Sequence, residues 1–482
     1  MCALKVPPRR DLLSHPLLTA PIGPSLLKLA GPTTAVMVAQ TLVAVMETFI
    51  YGRLGTEALA GFALVFPLMM MMTMMAAGGM GGGVAAAMAR AIGGGRHEDA
   101  RSLVVHAGAL AVVMSMVFSV FAWTVAPALF RLLGGTGAAL VNAETYSRVL
   151  FTCSIAVWMN FFLSSLLRGG GDAATPGRFM LLSSICQVPL SYVLALGIGS
   201  WSGIGMAGPA WSMLITATVS ALLQVRALWS GRLGFVPKFR GVRLQRRLFW
   251  DILRVGLISS FSALTANLTA MLVTGLVGRF GVAALAGYGI GVRLEFMLVP
   301  LAFGIGSGLT TLVGVAAGAH DWKRAVRAAW IGSLISGGII GVLGWIVALL
   351  PEGWARLFTG EPQVVAATVS YITHVAPFYF LFGIGMTLSF ASQGAGRMKA
   401  PFFAGIARLI VATAGGWFAV TQLGWGLNGV FTAIAVGMVT FGATIIVPLL
   451  VKPWGPKRAK LAPPGGSDAA ALDNRHLEPQ SR

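Results

Sequence analysis

With 482 residues, 56% of them hydrophobic and only 10% charged, the chain holds less than half the ~25% charge of an ordinary soluble domain, which excludes a soluble globular protein. The net charge of +20 does not indicate a nucleic-acid partner. Lys and Arg stand in short loops and tails, between apolar runs of about 20 residues or more, the length that a ~30 Å hydrocarbon core requires.

Strand-like alternation of apolar and polar residues is absent, so helices rather than a barrel are expected to satisfy the backbone. Twelve spans are predicted, at residues 26–50, 59–88, 103–127, 146–167, 178–199, 204–228, 252–277, 284–317, 326–350, 371–393, 401–422 and 427–451. The eighth is long enough to tilt or kink, and it contains Pro300. Residues 1–24 have no compact apolar region with a cleavage site, so a cytoplasmic tail is expected there rather than a signal peptide. Both tails and the loops after spans 2, 6, 8 and 10 are basic, with Arg96, Arg101, Lys323, Arg324, Arg397 and Lys399 among their residues. The opposite loops carry little beyond Arg53, Arg131, Arg279 and Arg356. Both termini are therefore expected on the cytoplasmic side. Residues 230–251 form one long basic linker that divides the spans six and six. Its Arg243, Arg246 and Arg247 either share one face of a short helix on anionic lipid or belong to a solvated linker that fixes topology. Residues 452–482 hold too few apolar side chains to fold alone and are expected to be disordered.

The chain repeats itself. Gly52 to Gly61 reads GRLGTEALAG, and Gly278 to Gly287 reads GRFGVAALAG, identical at seven of ten positions. Arg168-Gly169-Gly170-Gly171 before Pro176 answers Gln393-Gly394-Ala395-Gly396 before Pro401, and Gly203-Ile204-Gly205 answers Gly424-Trp425-Gly426. Each repeat has an even number of spans, so both enter the membrane from the same side. Two six-helix lobes, at 25–229 and 252–451, are expected to be related by an axis along the membrane normal, with a site between them opened alternately by rocking.

Glu47 is the acidic residue of the first span, and a carboxylate in hydrocarbon costs roughly 3 kcal/mol on insertion scales. Gln40, seven residues earlier, shares its helix face. Burial disfavours the charged form of a carboxyl, so such a group can exchange a proton for a cation that only its ionised form attracts. The alternative is a side chain that snorkels to the interface, since a loop begins five residues later. Glu295 lies with Arg293 in span 8, where the repeat places Met69 in the other half. It is either a cation-attracting wall or a structural partner of Arg293 or Arg408. His106 and His374 lie near span ends and suit satisfied or interfacial roles better than proton relay. Asn160 and Asn267 are polar groups that need partners in hydrocarbon, and Tyr288, Phe378 and Tyr379 offer aromatic faces to a cation. The methionines of span 2 suit a promiscuous apolar surface, but Met69 to Met72 face every side, so at most one or two line a cavity. The Gly78–Gly83 run lacks the Lys-Ser/Thr ending of a phosphate loop and reads as close helix packing.

Glu47 followed by GRLG-EALAG, the Ala89-Arg90-Ala91-Ile92-Gly93 end of a Gly-rich span, Arg168-Gly-Gly-Gly-Asp172 before Pro176, and Gly287-Tyr288-Gly289-Ile290-Gly291-Val292-Arg293-Leu294-Glu295 together resemble the MATE (multidrug and toxic compound extrusion) family. The resemblance covers about residues 26–451. It implies two six-helix lobes in a V and antiport of drugs or toxic cations against protons or sodium, with Glu47 at the ion-coupling site of the N-terminal lobe. Where family members often carry an Asn and an Asp on span 5, this chain has Gln187 and Ser191, so Glu47 works alone or coupling is built differently. With one obvious intramembrane carboxylate in the N-terminal lobe, protons are favoured over sodium. The expected protein is an all-α integral membrane antiporter of a bacterial inner membrane. It is expected to be a monomer that exports cationic or amphipathic small molecules. The clustered His, Asp or Cys of an enzyme or cofactor site is missing. The alternative is a lipid-linked glycan flippase of the wider superfamily, which would favour a cavity of Arg and Lys, whereas the intramembrane charges here are mixed.

Overall fold

The structure is a computed structural model and describes residues 16–237 and 243–456. Among the described residues eleven helices are long and apolar enough to span a membrane, and twelve with the bent pair α4 taken as one span: α1 (Ile22–Leu54), α2 (Thr56–Gly93), α3 (His97–Thr124), α4 (the pair Gly137–Thr152 and Ile155–Gly169), α5 (Ala174–Leu196), α6 (Ala207–Trp229), α7 (Arg246–Gly278), α8 (Val282–Gly318), α9 (Trp322–Leu349), α10 (Pro362–Ala395), α11 (Lys399–Thr421) and α12 (Gly426–Val451). At 1.5 Å per residue, even 23 residues reach about 34 Å, enough to cross the hydrocarbon. The two pieces of α4 meet at 49°, a bend that hydropathy does not signal. Pro300 lies within α8, which is helical from Val282 to Gly318. A π-helical turn widens α2 at Met75–Gly79 and another widens α11 at Val411–Gly415. The C-terminal tail beyond residue 456, most of the N-terminal tail and residues 238–242 of the linker lie outside the described residues. Arg246 begins α7, and Arg247 reaches Asp99 of α3 at 2.5 Å.

The lobes α1–α6 and α7–α12 repeat one packing plan. In the first, α5 packs on α6 and α1, and α4 on α2 and α6; in the second, α11 packs on α12 and α7, and α10 on α8 and α12. Equivalent residues make equivalent contacts. A Cβ at Gly61 would lie 2.7 Å from the Asn142 Cβ, and one at Gly287 2.5 Å from the Ala367 Cβ. The repeated loop has a backbone reason. Gly55 and Gly281 turn the chain between spans at φ 114° and 96°, a region that side chains with a Cβ rarely enter.

The contacts between lobes cluster at the end of the molecule that bears the basic loops. There the glycines of α2 admit the other lobe: Gly79 faces Ser260, Gly82 faces Gln393, and Gly83 faces the Ile252 carbonyl and Gly256. Across the two-fold, Gly304 faces Thr34, and Gly308 faces Leu26 and Ala30. The Gly78–Gly83 run thus serves close packing, as small residues do in membranes. Toward the other end α2 before Met75 touches α7 far less than its Met80–Gly93 half does, and Leu42, Val45, Phe49, Met271 and Phe296 are exposed. The molecule is closed at the basic end and open at the opposite one. At the closed end, a Cβ on Gly93 would lie 2.0 Å from the Val315 carbonyl oxygen. Gly93→Val is expected to destabilise the protein by about 1–3 kcal/mol through overpacking, read as a lower unfolding midpoint in detergent.

Candidate functional site

Glu47 lies near the open-end terminus of α1 and is 4% exposed. It does not snorkel. Gln187 of α5 donates from Nε2 to Glu47 Oε1 at 2.8 Å, and Ser212 Oγ of α6 donates to the Gln187 backbone oxygen at 2.7 Å. Ser191 stands one turn beyond Gln187. It is fully buried, and its hydroxyl has no partner. One turn beyond Glu47 on α1, Tyr51 stacks on Phe62 at 4.0 Å between ring centroids and meets Tyr146 edge-on at 6.1 Å. The result is a buried carboxyl with one amide donor and a tyrosine pair nearby. A buried carboxyl among neutral groups can hold a proton or receive a cation.

Gln40, placed on the same face by helical spacing, is half-buried; the hydrogen bond to Glu47 comes from Gln187 instead. Asn160 belongs to a different cluster. Its side-chain oxygen accepts from Gln224 Nε2 at 2.6 Å. Gln224 stands twelve residues beyond Ser212 on α6, about 18 Å along the axis.

The second intramembrane acid, Glu295, is half-buried inside the C-terminal lobe. Tyr371 of α10 donates to its Oε1, and Arg408 of α11 lies 4.0 Å from its Oε2. Arg293 is not its partner. Residues two apart on a helix do not face each other, and the Arg293 guanidinium instead lies 5.3 Å from the Phe358 ring centroid. Tyr288 is buried edge-on against Tyr371 at 5.5 Å, so it serves aromatic packing. A void of about 10 Å³ lies among Glu295, Tyr379, Phe382 and Met386, close to the space that one water needs. The repeat is visible in chemistry as well as sequence. Tyr146 donates to Met69 Sδ at 3.5 Å, and its equivalent Tyr371 donates to Glu295, the residue equivalent to Met69.

Asn267 is exposed and bonds its own helix at the Ala263 oxygen, 2.9 Å away. It borders a recess of about 240 Å³ between α2 and α7, together with Met71, Met74 and Met75. Of the run Met69 to Met72 only Met71 lines this recess, within the expected one or two. The four-residue run does face all sides, and Met74 and Met75 return to the face of Met71 at helical spacing. His106 is structural, joined to the Ser102 oxygen at 2.7 Å and accepting from the Gln245 backbone at 2.8 Å. His374 likewise bonds the Ser370 oxygen at 2.7 Å. Sequence reasoning missed Tyr51, Tyr146, Tyr371 and Gln224. Tyr146 and Tyr371 could have been found by extending the repeat offset of 226 to 225 residues.

The sequence profile of the MatE family matches residues 32–193 and 259–418. A Thermotoga maritima protein described as "Probable multidrug resistance protein NorM" is 26% identical over 79% of this chain and 82% of its own length. A Shewanella oneidensis protein described as "FAD transporter" is 26% identical over 82% of this chain and 88% of its own. Among solved structures, one described as the outward-facing conformation of a multidrug resistance MATE family transporter superposes with a TM-score of 0.80. It shares 25% identity and covers 93% of this chain and 97% of that one.

Proposed function

We propose, since this chain belongs to the MatE family, that it is a secondary active antiporter that exports cationic or amphipathic small molecules in exchange for protons. The observation that carries this reading is the buried Glu47–Gln187 pair, set in one lobe beside the open end of the inter-lobe seam. Export of drugs is taken from the named multidrug relatives. Proton coupling rests on Glu47 as a buried acid whose neighbours, Gln187, Tyr51 and Tyr146, are neutral. A cation that approaches from the cavity competes with the proton for Glu47, and competition for one group suffices for exchange. The lobes, residues 25–229 and 252–451, rock about the glycine seam to expose the site on either side in turn. The basic loops support a cytoplasmic side for the closed end and both termini, and on that reading this arrangement is outward-facing. We place the protein in a bacterial inner membrane as a monomer.

The test is transport of a fluorescent organic cation by proteoliposomes under an imposed proton gradient, then under an imposed sodium gradient. Transport driven by the proton gradient is expected. Transport with sodium alone would overturn the coupling ion, and no transport by folded protein would overturn the exporter reading in favour of a flippase.

A further inference from the structure

Arg90, at the closed end of α2, is 7% exposed and bonds entirely across the lobe boundary with its two terminal nitrogens. Its Nη1 donates to the Gln393 and Gly394 backbone oxygens at 3.2 and 3.1 Å, and its Nη2 donates to the Asp251 backbone oxygen at 3.3 Å. The same Nη2 lies 3.3 Å from Asp251 Oδ1. Gln393 and Gly394 are in the last turn of α10, where carbonyls have no intrahelical partner and the helix dipole is negative. Asp251 is on α7 and is held in turn by Arg254. The backbones close tightly around the group. Positions for a Cβ at Gly314 and Gly318 fall 2.7 Å from the Ala89 Cβ and 2.4 Å from the Arg90 oxygen.

The two-fold-related contact is much weaker. The residue equivalent to Arg90 is Ala316. The carbonyl equivalent to that of Gln393 is that of Arg168, and it accepts a neutral bond from Thr311 Oγ1 at 2.9 Å. At these equivalent positions one side of the seam is thus clasped by a guanidinium on a carboxylate and two helix-end carbonyls, the other by a hydroxyl, with Arg324 of α9 holding the Leu17 and Ala20 oxygens ahead of α1. Charge-assisted bonds are the stronger kind, and planar, multidentate geometry is what lysine cannot supply.

We infer that Arg90 is a positioning residue of the transport cycle: it clasps the C-terminal lobe at the basic end, and opening of that end requires release of Asp251 and the end of α10. This rests on the rocking of lobes proposed above but not on the identity of the coupling residue. In this picture the strong side of the seam fixes the resting arrangement, and occupancy of the site must offset the clasp before the lobes can move.

The test measures distance across the basic end without substrate. Cys2, Cys153 and Cys186 are changed to Ser, spin labels are placed at His97→Cys and Lys323→Cys, and the full chain is studied in lipid nanodiscs by double electron–electron resonance. The parent protein is expected to give mainly the short distance. Arg90→Lys and Asp251→Asn are each expected to shift the open-to-closed ratio toward the long distance by roughly tenfold, which is about 1.4 kcal/mol. Thr311→Val is expected to shift it less. Asp251→Asn keeps the side-chain shape and the backbone bond to Arg90, so it decides the matter if Arg90→Lys fails to fold. An unchanged distribution in either folded variant would overturn the inference. Absence of drug transport would sink the exporter reading while leaving the distance result to stand or fall alone.

Discussion

Glu47→Gln is expected to abolish gradient-driven transport, with cation flux falling to that of protein-free liposomes. Glutamine matches the shape of glutamate, and the Gln187 amide can still reach a side-chain oxygen, so the fold of the lobe is retained. What disappears is the exchangeable charge, and with it the competition that links cation to proton. Gln187→Leu is expected to act more mildly. It leaves Glu47 buried without its 2.8 Å donor, at a cost of about 1–3 kcal/mol, so stability falls while some coupled transport survives. Flux assays on the two variants, run beside unfolding midpoints, separate loss of coupling from loss of fold. Coupled transport by Glu47→Gln at the parent rate would move the exchange site elsewhere.

The second large effect is expected at Arg408, and it is an effect on stability. Arg408 and Glu295 are 17% and 18% exposed at their side chains and lie within one lobe. Removal of the guanidinium strands a mostly buried carboxylate, which for well-formed buried pairs costs about 3–5 kcal/mol. At the 4.0 Å separation here, Arg408→Ala is expected to lose about 2 kcal/mol, a value below that range because the pair is long and partly wet. Glu295→Gln is expected to cost less, since Tyr371 can still donate to the amide oxygen. The double variant is expected to be more stable than Arg408→Ala alone, because the orphaned charge is gone. Denaturant titration of the four proteins closes the cycle. Glu295→Gln is also expected to retain gradient-driven transport, unlike Glu47→Gln; if it does not, Glu295 belongs to the coupling machinery.

Much of this was legible from the residues. Hydropathy predicted twelve spans, because a bilayer accepts little else than long apolar helices. The repeated GRLG and GRFG loops revealed the two-fold, and their second glycines turn out to occupy the left-handed backbone that the turn needs. Glu47 stood out because an acid in an apolar run must be compensated. The compensating group was less accessible. Helical spacing pointed to Gln40, but Gln187 lies 140 residues away in sequence, and only the likeness to a family brought it forward. Arg293 beside Glu295 looked like a partner because the two are near in sequence, whereas a helix turns them to different faces. The bend in α4 and the π-turns leave no mark on hydropathy. Arg90 entered only as part of the Ala89–Gly93 end of a Gly-rich span, since nothing in that span tells that α7 and α10 of the other lobe converge on it.

The most direct test of the central claim is proton release on binding, measured with a pH indicator on purified protein in weakly buffered detergent solution as ethidium is added. If cation and proton compete for Glu47, the parent protein and Glu295→Gln release protons as ethidium binds, and Glu47→Gln binds without release. Equal release from Glu47→Gln would contradict the account.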